Sequence, residues 1–191
     1  MASPHSRPRL RRPSPLRDFL STLLLLVVVY ALVNLSSSRY LVQGKSMYPS
    51  FDDDQILYVS RLSYLLAQPQ RLDIVVFHHR DQPPEDYIKR IIGLPGEIVA
   101  LTGGRVWIDG VLLDEPYLAE ACRVDRCDDR VWSLGPDEYF VMGDNRNDSS
   151  DSRVFGPVRR DQLVGAALLR YWPPQSWGVV ARIGAPSGVV P

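Results

Sequence analysis

Between Phe19 and Leu35 the chain runs 17 residues without a charge, and its centre reads Leu23-Leu24-Leu25-Leu26-Val27-Val28-Val29. A helix of that length sits at the lower limit for crossing the hydrocarbon core of a bilayer. It has no polar stripe, so it does not suit the surface of a soluble core. A cleaved secretory signal is the main competitor, because Ser36, Ser37 and Ser38 are small, but no clear Ala-x-Ala site follows. A retained signal anchor over residues 18–37 accounts for the run best. Arg7, Arg9, Arg11, Arg12 and Arg17 all precede Asp18, the first acidic residue. Cations on one flank of a span stay on the cytoplasmic side. This predicts a cytoplasmic basic tail over 1–17 and an extracytoplasmic remainder. The same cluster is a poor nucleic-acid site, since no second basic patch supports it. Of 22 basic and 22 acidic side chains, 17 and 21 lie beyond Asp18, so the remainder carries a net charge of −4.

Beyond the anchor about 150 residues remain, enough for one domain with its own core and no obligatory disulfides. Short apolar runs alternate there with turn residues: Tyr40–Val42, Gln55–Val59, Asp73–Phe77, Glu97–Leu101, Arg105–Ile108, Glu138–Met142 and Gly165–Tyr171. Their length and their β-branched and aromatic content are those of strands. Gly103-Gly104 between two of them is a hairpin signal, and a brief helix is expected within Ser60–Leu66. The pattern predicts a mainly β fold, an antiparallel β-sheet domain over 38–180 preceded by one N-terminal transmembrane helix. Leu112–Leu134 is richer in charge and weak in strand pattern, so about 110–135 reads as a small inserted subdomain. Residues 181–191 read as a frayed C-terminal tail. Trp132, Trp172 and Trp177 suit either a core or a lipid interface.

The two cysteines, Cys122 and Cys127, are spaced C-x4-C. In an exported domain a local disulfide is plausible, with free thiols as the alternative. A metal site needs two more ligands, and His5, His78 and His79 do not flank the pair.

Three segments carry polar groups whose chemistry exceeds that of a solvated turn. In Gly44-Lys45-Ser46-Met47-Tyr48-Pro49, glycine permits close approach of another chain and proline stiffens the turn that presents the Ser46 hydroxyl. In Tyr87-Ile88-Lys89-Arg90-Ile91-Ile92-Gly93-Leu94-Pro95-Gly96-Glu97, Lys89 sits among isoleucines. If buried, its pKa falls and it becomes a neutral amine able to take a proton from a hydroxyl. If the strand alternates the other way, Lys89 points to solvent. The third segment, Gly143 to Arg153, interleaves Asp144, Arg146, Asp148, Asp151 and Arg153. A calcium loop fails there, because the D-x-[DN]-x-[DN]-G pattern is absent and the arginines repel a cation. Interleaved Asp and Arg look like a self-neutralising buttress of ion pairs.

With these three segments in order, the chain resembles the type I signal peptidases, membrane-anchored serine proteases with a Ser-Lys dyad, from the anchor to about Trp177. The resemblance implies that Ser46 is the nucleophile, Lys89 the general base, and Ser149 a hydroxyl that bonds and orients the lysine amine. It implies a supporting role for Asp144, Arg146, Asp151 and Arg153, and substrate pockets at Tyr40, Val42 and Ile88. Some relatives carry a serine two residues before the nucleophile as a second oxyanion donor; Gly44 stands there in this chain. The expected substrates are exported precursors bearing signal peptides, cut after small residues in an Ala-x-Ala pattern. No metal or cofactor is expected. The partners are those precursors and the lipid bilayer, with no nucleic acid, and the expected place is a bacterial plasma membrane. Two other readings compete. One is a catalytically inactive membrane-anchored β domain that binds exported chains. The other is a related self-cleaving Ser-Lys protease, which would carry a DNA-binding domain where this chain has its anchor.

Overall fold

The computed structural model describes residues 15–79 and 85–180. The first 14 residues of the basic tail and the whole tail over 181–191 therefore lie outside the described residues. Two units are separable, Met1–Ser36 and Ser37–Pro191. In the first, helix α1 runs Pro15–Ser36. Proline suits the opening turn, where its missing N–H leaves no intrahelical bond unmade, and Asp18 complements the dipole there. By length and composition its Pro15–Asn34 stretch can cross a membrane.

The second unit is built on antiparallel pairing throughout the described residues. Its strands are β1 (Ser37–Leu41), β2 (Ile56–Ser60), β3 (Ile74–His78), β4 (Asp86–Gly93), β5 (Ile98–Thr102), β6 (Arg105–Ile108) and β7 (Val111–Leu112). They continue with β8 (Arg130–Ser133), β9 (Glu138–Met142), β10 (Val158–Arg159), β11 (Leu163–Trp172) and β12 (Gly178–Val179). Two one-turn helices interrupt them, α2 (Ser63–Leu66) and α3 (Ser152–Phe155). The main sheet has the order β1-β2-β11-β3-β4-β9-β10, with β12 beside β11. A second sheet has the order β7-β6-β5-β8.

The smaller sheet differs from the expected insertion. It takes in β5 and β6, which the sequence pattern assigned to the common scaffold, and β8, which showed no strand signal. Local pattern marks β5 and β6 as a hairpin, turning at Gly103 and Gly104 with φ of +58° and +74°. It does not say which sheet that hairpin joins. The pairing of Ile98–Leu101 with Arg130–Ser133 decides it.

The main sheet is covered on both faces, which explains its nearly continuous apolar strands. Along β3, Ile74 and Val76 join one buried cluster with Val42, Met47, Phe51 and Leu57, while Val75 and Phe77 join another with Ile91, Val141 and Leu163. Along β9, Tyr139 and Val141 face that second cluster, whereas Phe140 and Met142 face a third, built largely from the smaller sheet. Period-two alternation thus ties three clusters together through single strands. Strand β4 sits at a fork. Its residues 86–90 pair with β3 and its residues 90–93 with β9. Asp86–Lys89 is consequently paired on one side only among the described residues, and β1 pairs only with β2.

Gly165 on β11 lies against the backbone of Ser60 on β2. A Cβ there would collide with the Ser60 carbonyl oxygen and lie 2.8 Å from its carbon. Backbone cannot rotate away as a side chain does, so Gly165→Ala is expected to destabilise the domain by about 1–3 kcal/mol. Thermal unfolding of the detergent-solubilised protein should show a lowered midpoint; an unchanged one would contradict this packing.

Candidate active site

Ser46 stands on a loop pinned from below. Met47 and Phe51 are buried in the cluster beneath it, and Phe51 N–H donates to the Met47 carbonyl (2.9 Å). Before it, Val42 exchanges backbone bonds with Gln55 and Asp54 (2.8 and 3.0 Å), and Gly44 N–H donates to Asp53 Oδ1 (2.8 Å). Gly44 has φ +79°, a conformation that a side chain disfavours. From the other side, Asn145 N–H donates to the Ser46 carbonyl (3.0 Å), and its side-chain amide donates to the Lys45 carbonyl (3.2 Å).

Lys89 comes to the same point from the half-open part of β4. Its Nζ lies 2.8 Å from Ser46 Oγ and 2.9 Å from the Ile88 carbonyl, to which it donates. The residue is 4% exposed. Burial lowers its pKa to about 8, although the Asp151 and Asp144 carboxylates pull in the opposite direction. The sequence left open whether this amine faces solvent or core; it faces the core. In its neutral form the amine offers a lone pair, and the Ser46 hydroxyl can donate to it.

Behind the pair lies the loop Gly143–Arg153, and its charges are matched differently from expectation. Only Asp151 and Arg153 pair within the loop, with Nε–Oδ1 and Nη2–Oδ2 both at 2.8 Å. Asp144 binds Arg90, the neighbour of Lys89, at 2.8 and 2.6 Å. Arg146 binds Glu115 with both nitrogens of its fork. The buttress is therefore neutralised by its surroundings as much as by itself, because charges this deeply buried take the nearest partner in space. Asp151 also accepts from Gly143 N–H (3.0 Å), and Arg153 holds its carboxyl below the ordinary range even though burial pushes it up.

Ser149 is also placed differently from expectation. Its hydroxyl is buried against Gly143 and makes no hydrogen bond to Lys89. A Cβ at Gly143 would collide with both Ser149 Oγ and the Ser46 carbonyl oxygen, so glycine is what lets the two segments close on each other. Of the residues expected to line substrate pockets, Ile88 does border the groove beside Ser46. Val42 is buried in the cluster below, and Leu41 and Gln43 border the groove in its place, as alternation along an extended chain requires. Tyr40 and Ile88 pack on that same cluster. The groove has a volume of about 440 Å³ and runs between Leu41, Gln43 and Ser46 on one side and Glu85–Lys89 on the other, with Ser150 at its margin.

Sequence reasoning missed Arg90, Glu115, Tyr117 and Asn145. A signal for Arg90 existed, since Lys89 and Arg90 are adjacent on one strand and point to opposite faces, so a covered face must bury one of the two. Its partners include the carbonyl of Leu72 (3.0 Å), a buried leucine at φ +69°. Cys122 and Cys127 form the local disulfide, with Cα atoms 6.0 Å apart, and Arg153 donates to Cys127 Sγ (3.0 Å).

Comparison with known proteins identifies the family of this chain. The family described as signal peptidase, peptidase S26, matches residues 16–172. A signal peptidase I of Leptolyngbya laminosa is 37% identical over 186 residues, spanning 90% of this chain and 88% of that protein. A signal peptidase I of Bacillus caldolyticus is 40% identical over 148 residues, spanning 71% and 80%. A crystal structure of a signal peptidase I from Enterococcus faecalis aligns with TM-score 0.45 and 34% identity, over 52% of this chain and 97% of that one. With the family match running from the first turn of α1 to the end of β11, this chain belongs to the S26 family of signal peptidases.

Proposed function

We propose that this protein removes N-terminal signal peptides from exported precursors, with Ser46 as nucleophile and Lys89 as its general base. The observation that carries the reading is the 2.8 Å contact between a hydroxyl and an amine that burial keeps largely out of water. Neutral Lys89 takes the Ser46 proton as Oγ attacks the scissile carbonyl, and returns it to the departing amine. The released mature chain leaves an ester on Ser46. Water then attacks that ester, giving up its proton to the same amine, which passes it to Ser46 Oγ as the bond to the acyl carbon breaks and the signal peptide departs with a new C-terminal carboxyl group. The Ser46 N–H, which has no acceptor among the described residues, is free to donate to the oxyanion. Such donors are worth about 2.7–4 kcal/mol each in proteases built around them.

The substrate adds as an extended chain to the one-sided edge Asp86–Lys89, with Leu41 and Gln43 across the groove. Ile88 and Tyr40 narrow the space above the apolar cluster, which favours small side chains. The Tyr40 hydroxyl pKa is raised by burial and by Asp86, so it stays a neutral hydrogen-bonding group. Asp144, Arg146, Asp151 and Arg153 support the site without entering the chemistry.

Helix α1 anchors the protein as a single span, with the arginine-rich start in the cytoplasm and the β domain outside a bacterial plasma membrane. Trp177 is exposed beside Leu169 and Val179, and Trp172 is exposed at the end of β11, which suits a lipid interface more than a nucleic acid. An inactive binding domain would have no use for a buried amine against a serine hydroxyl.

Replacing Ser46 by Ala or Lys89 by Met is expected to lower cleavage of an Ala-x-Ala precursor by at least ~10³-fold. N-terminal sequencing of the product places the cut. Lys89→Met should not lower the melting temperature. An amine whose pKa falls from 10.5 to about 8 on folding costs stability at every pH below 10.5, in full below about 8, and methionine removes that cost. Substantial turnover by either variant would refute the pair.

The pH profile follows from the same shift. The base works deprotonated, so kcat/KM is expected to rise with pH and reach half its plateau near the depressed lysine pKa of about 8. A profile that is flat between acid and alkaline pH would contradict Lys89 as the base.

A further inference from the structure

The loop behind Ser46 carries a guanidinium with no solvent exposure, that of Arg146. A cation buried that deeply costs several kcal/mol unless it is paired, so the loop can hold its shape only if an anion comes to it. The loop's own buried carboxylates are already engaged, Asp144 with Arg90 and Asp151 with Arg153. The anion arrives from the segment between β7 and β8, whose Glu115 lies 31 residues away in sequence. Glu115 Oε2 accepts from Arg146 Nη1 (3.0 Å), and Oε1 accepts from Arg146 Nη2 and from the Tyr117 hydroxyl (2.8 Å).

What this pairing holds is specific. Arg146 Nε donates to the Gly143 carbonyl (3.1 Å), and Gly143 is the position against which the Ser46 carbonyl and the Ser149 hydroxyl close. The ring of Tyr117 meanwhile lies 4.1 Å from the Arg90 guanidinium, and Arg90 follows Lys89 on β4. One residue pair from outside the catalytic motifs therefore touches both the backing of the nucleophile and the neighbour of the base.

We propose that Glu115 and Tyr117 are positioning residues of the Ser46–Lys89 pair. Glu115 fixes the Arg146 fork and through it Gly143. Tyr117 bridges Glu115 to Arg90 by its hydroxyl and its ring. The proposal rests on the reading of Ser46 and Lys89 as the reacting pair. It adds that the distance between them is set by charges supplied from the segment next to the smaller sheet.

The test is steady-state cleavage of a signal-peptide precursor by the full-length, detergent-solubilised protein. Glu115→Gln keeps the side-chain shape and removes the charge. It is expected to lower kcat ~10- to 100-fold, as displacement of a reacting group by a fraction of an ångström to an ångström does, with KM within about twofold. Tyr117→Phe keeps the ring and loses only the hydroxyl, with an expected ~5-fold loss in kcat, the equivalent of one hydrogen bond. Circular dichroism and thermal unfolding identify which variants are folded at the assay temperature. A purely structural role would lower the melting temperature and leave kcat of the folded fraction unchanged. Wild-type kcat in a folded Glu115→Gln overturns the proposal, and if that variant does not fold, wild-type kcat in Tyr117→Phe does so. Ser46→Ala is run alongside. If Ser46→Ala still cleaves, the reacting pair itself is wrong; if it is inert while Glu115→Gln is fully active, only the positioning role falls.

Discussion

The desolvation of one amine governs the rest of this structure. A lysine in water is charged and useless as a base at neutral pH, and only its removal from water changes that. At Lys89 the removal is nearly complete, yet Asp144 and Asp151 act to restore the charge. A carboxylate left unpaired near this amine would undo the depression. Each of the two is bound instead by an arginine, Arg90 and Arg153. The ion pairs around the site are thus more than scaffolding. They let negative groups stand beside a buried amine without restoring its ordinary pKa.

That arrangement has a cost in the opposite direction, since each neutralising arginine must itself be buried. Buried ion pairs are poor sources of stability, because desolvation offsets most of their attraction. What they supply is geometry. A bidentate Arg–carboxylate pair fixes the plane and the distance of both partners. The three pairs around Gly143–Arg153 hold a loop that has only one short helix, α3, to steady it. Asp151 shows the economy of the design, accepting from Arg153, from Gly143 N–H and from the backbone at the start of α3.

The sequence was most legible where a residue's function group and its neighbours coincide. Ser46 and Lys89 carry their chemistry on their own side chains, and the motifs around them are local. The anchor was legible because bilayer thickness fixes a length. Most strands of the main sheet were legible from apolar runs, with boundaries shifted by up to three residues. The two-residue strands β10 and β12 are too short to leave a pattern, and β4 was missed because Lys89 and Arg90 interrupt its apolar pattern with charges that are nonetheless buried. The partners of the buried cations were not legible. Arg90 and Asp144 lie 54 positions apart and Arg146 and Glu115 lie 31 apart. Nothing local tells a carboxylate which of several arginines it will meet. The orientation of Ser149 failed for a related reason: it depends on the empty space at Gly143, which is a property of two segments meeting.

The fork in β4 connects this geometry to selectivity. The ladder between β4 and β9 begins only at Arg90, one residue past Lys89 and its contact with Ser46. In the binding mode we propose, a chain added beside residues 86–89 meets β9 there, so the position of its scissile bond is set by where β9 begins. Side chains of an extended strand alternate between faces. In that proposed binding mode, residues at −1 and −3 share the face turned to Ile88 and the apolar cluster, while the residue at −2 points away. A preference for small groups at alternate positions is what a single shallow surface beneath an edge-bound strand produces. It needs no separate recognition element for each residue. The requirement that the substrate be extended at the cut also excludes folded mature domains from the groove, since their backbone bonds are already made.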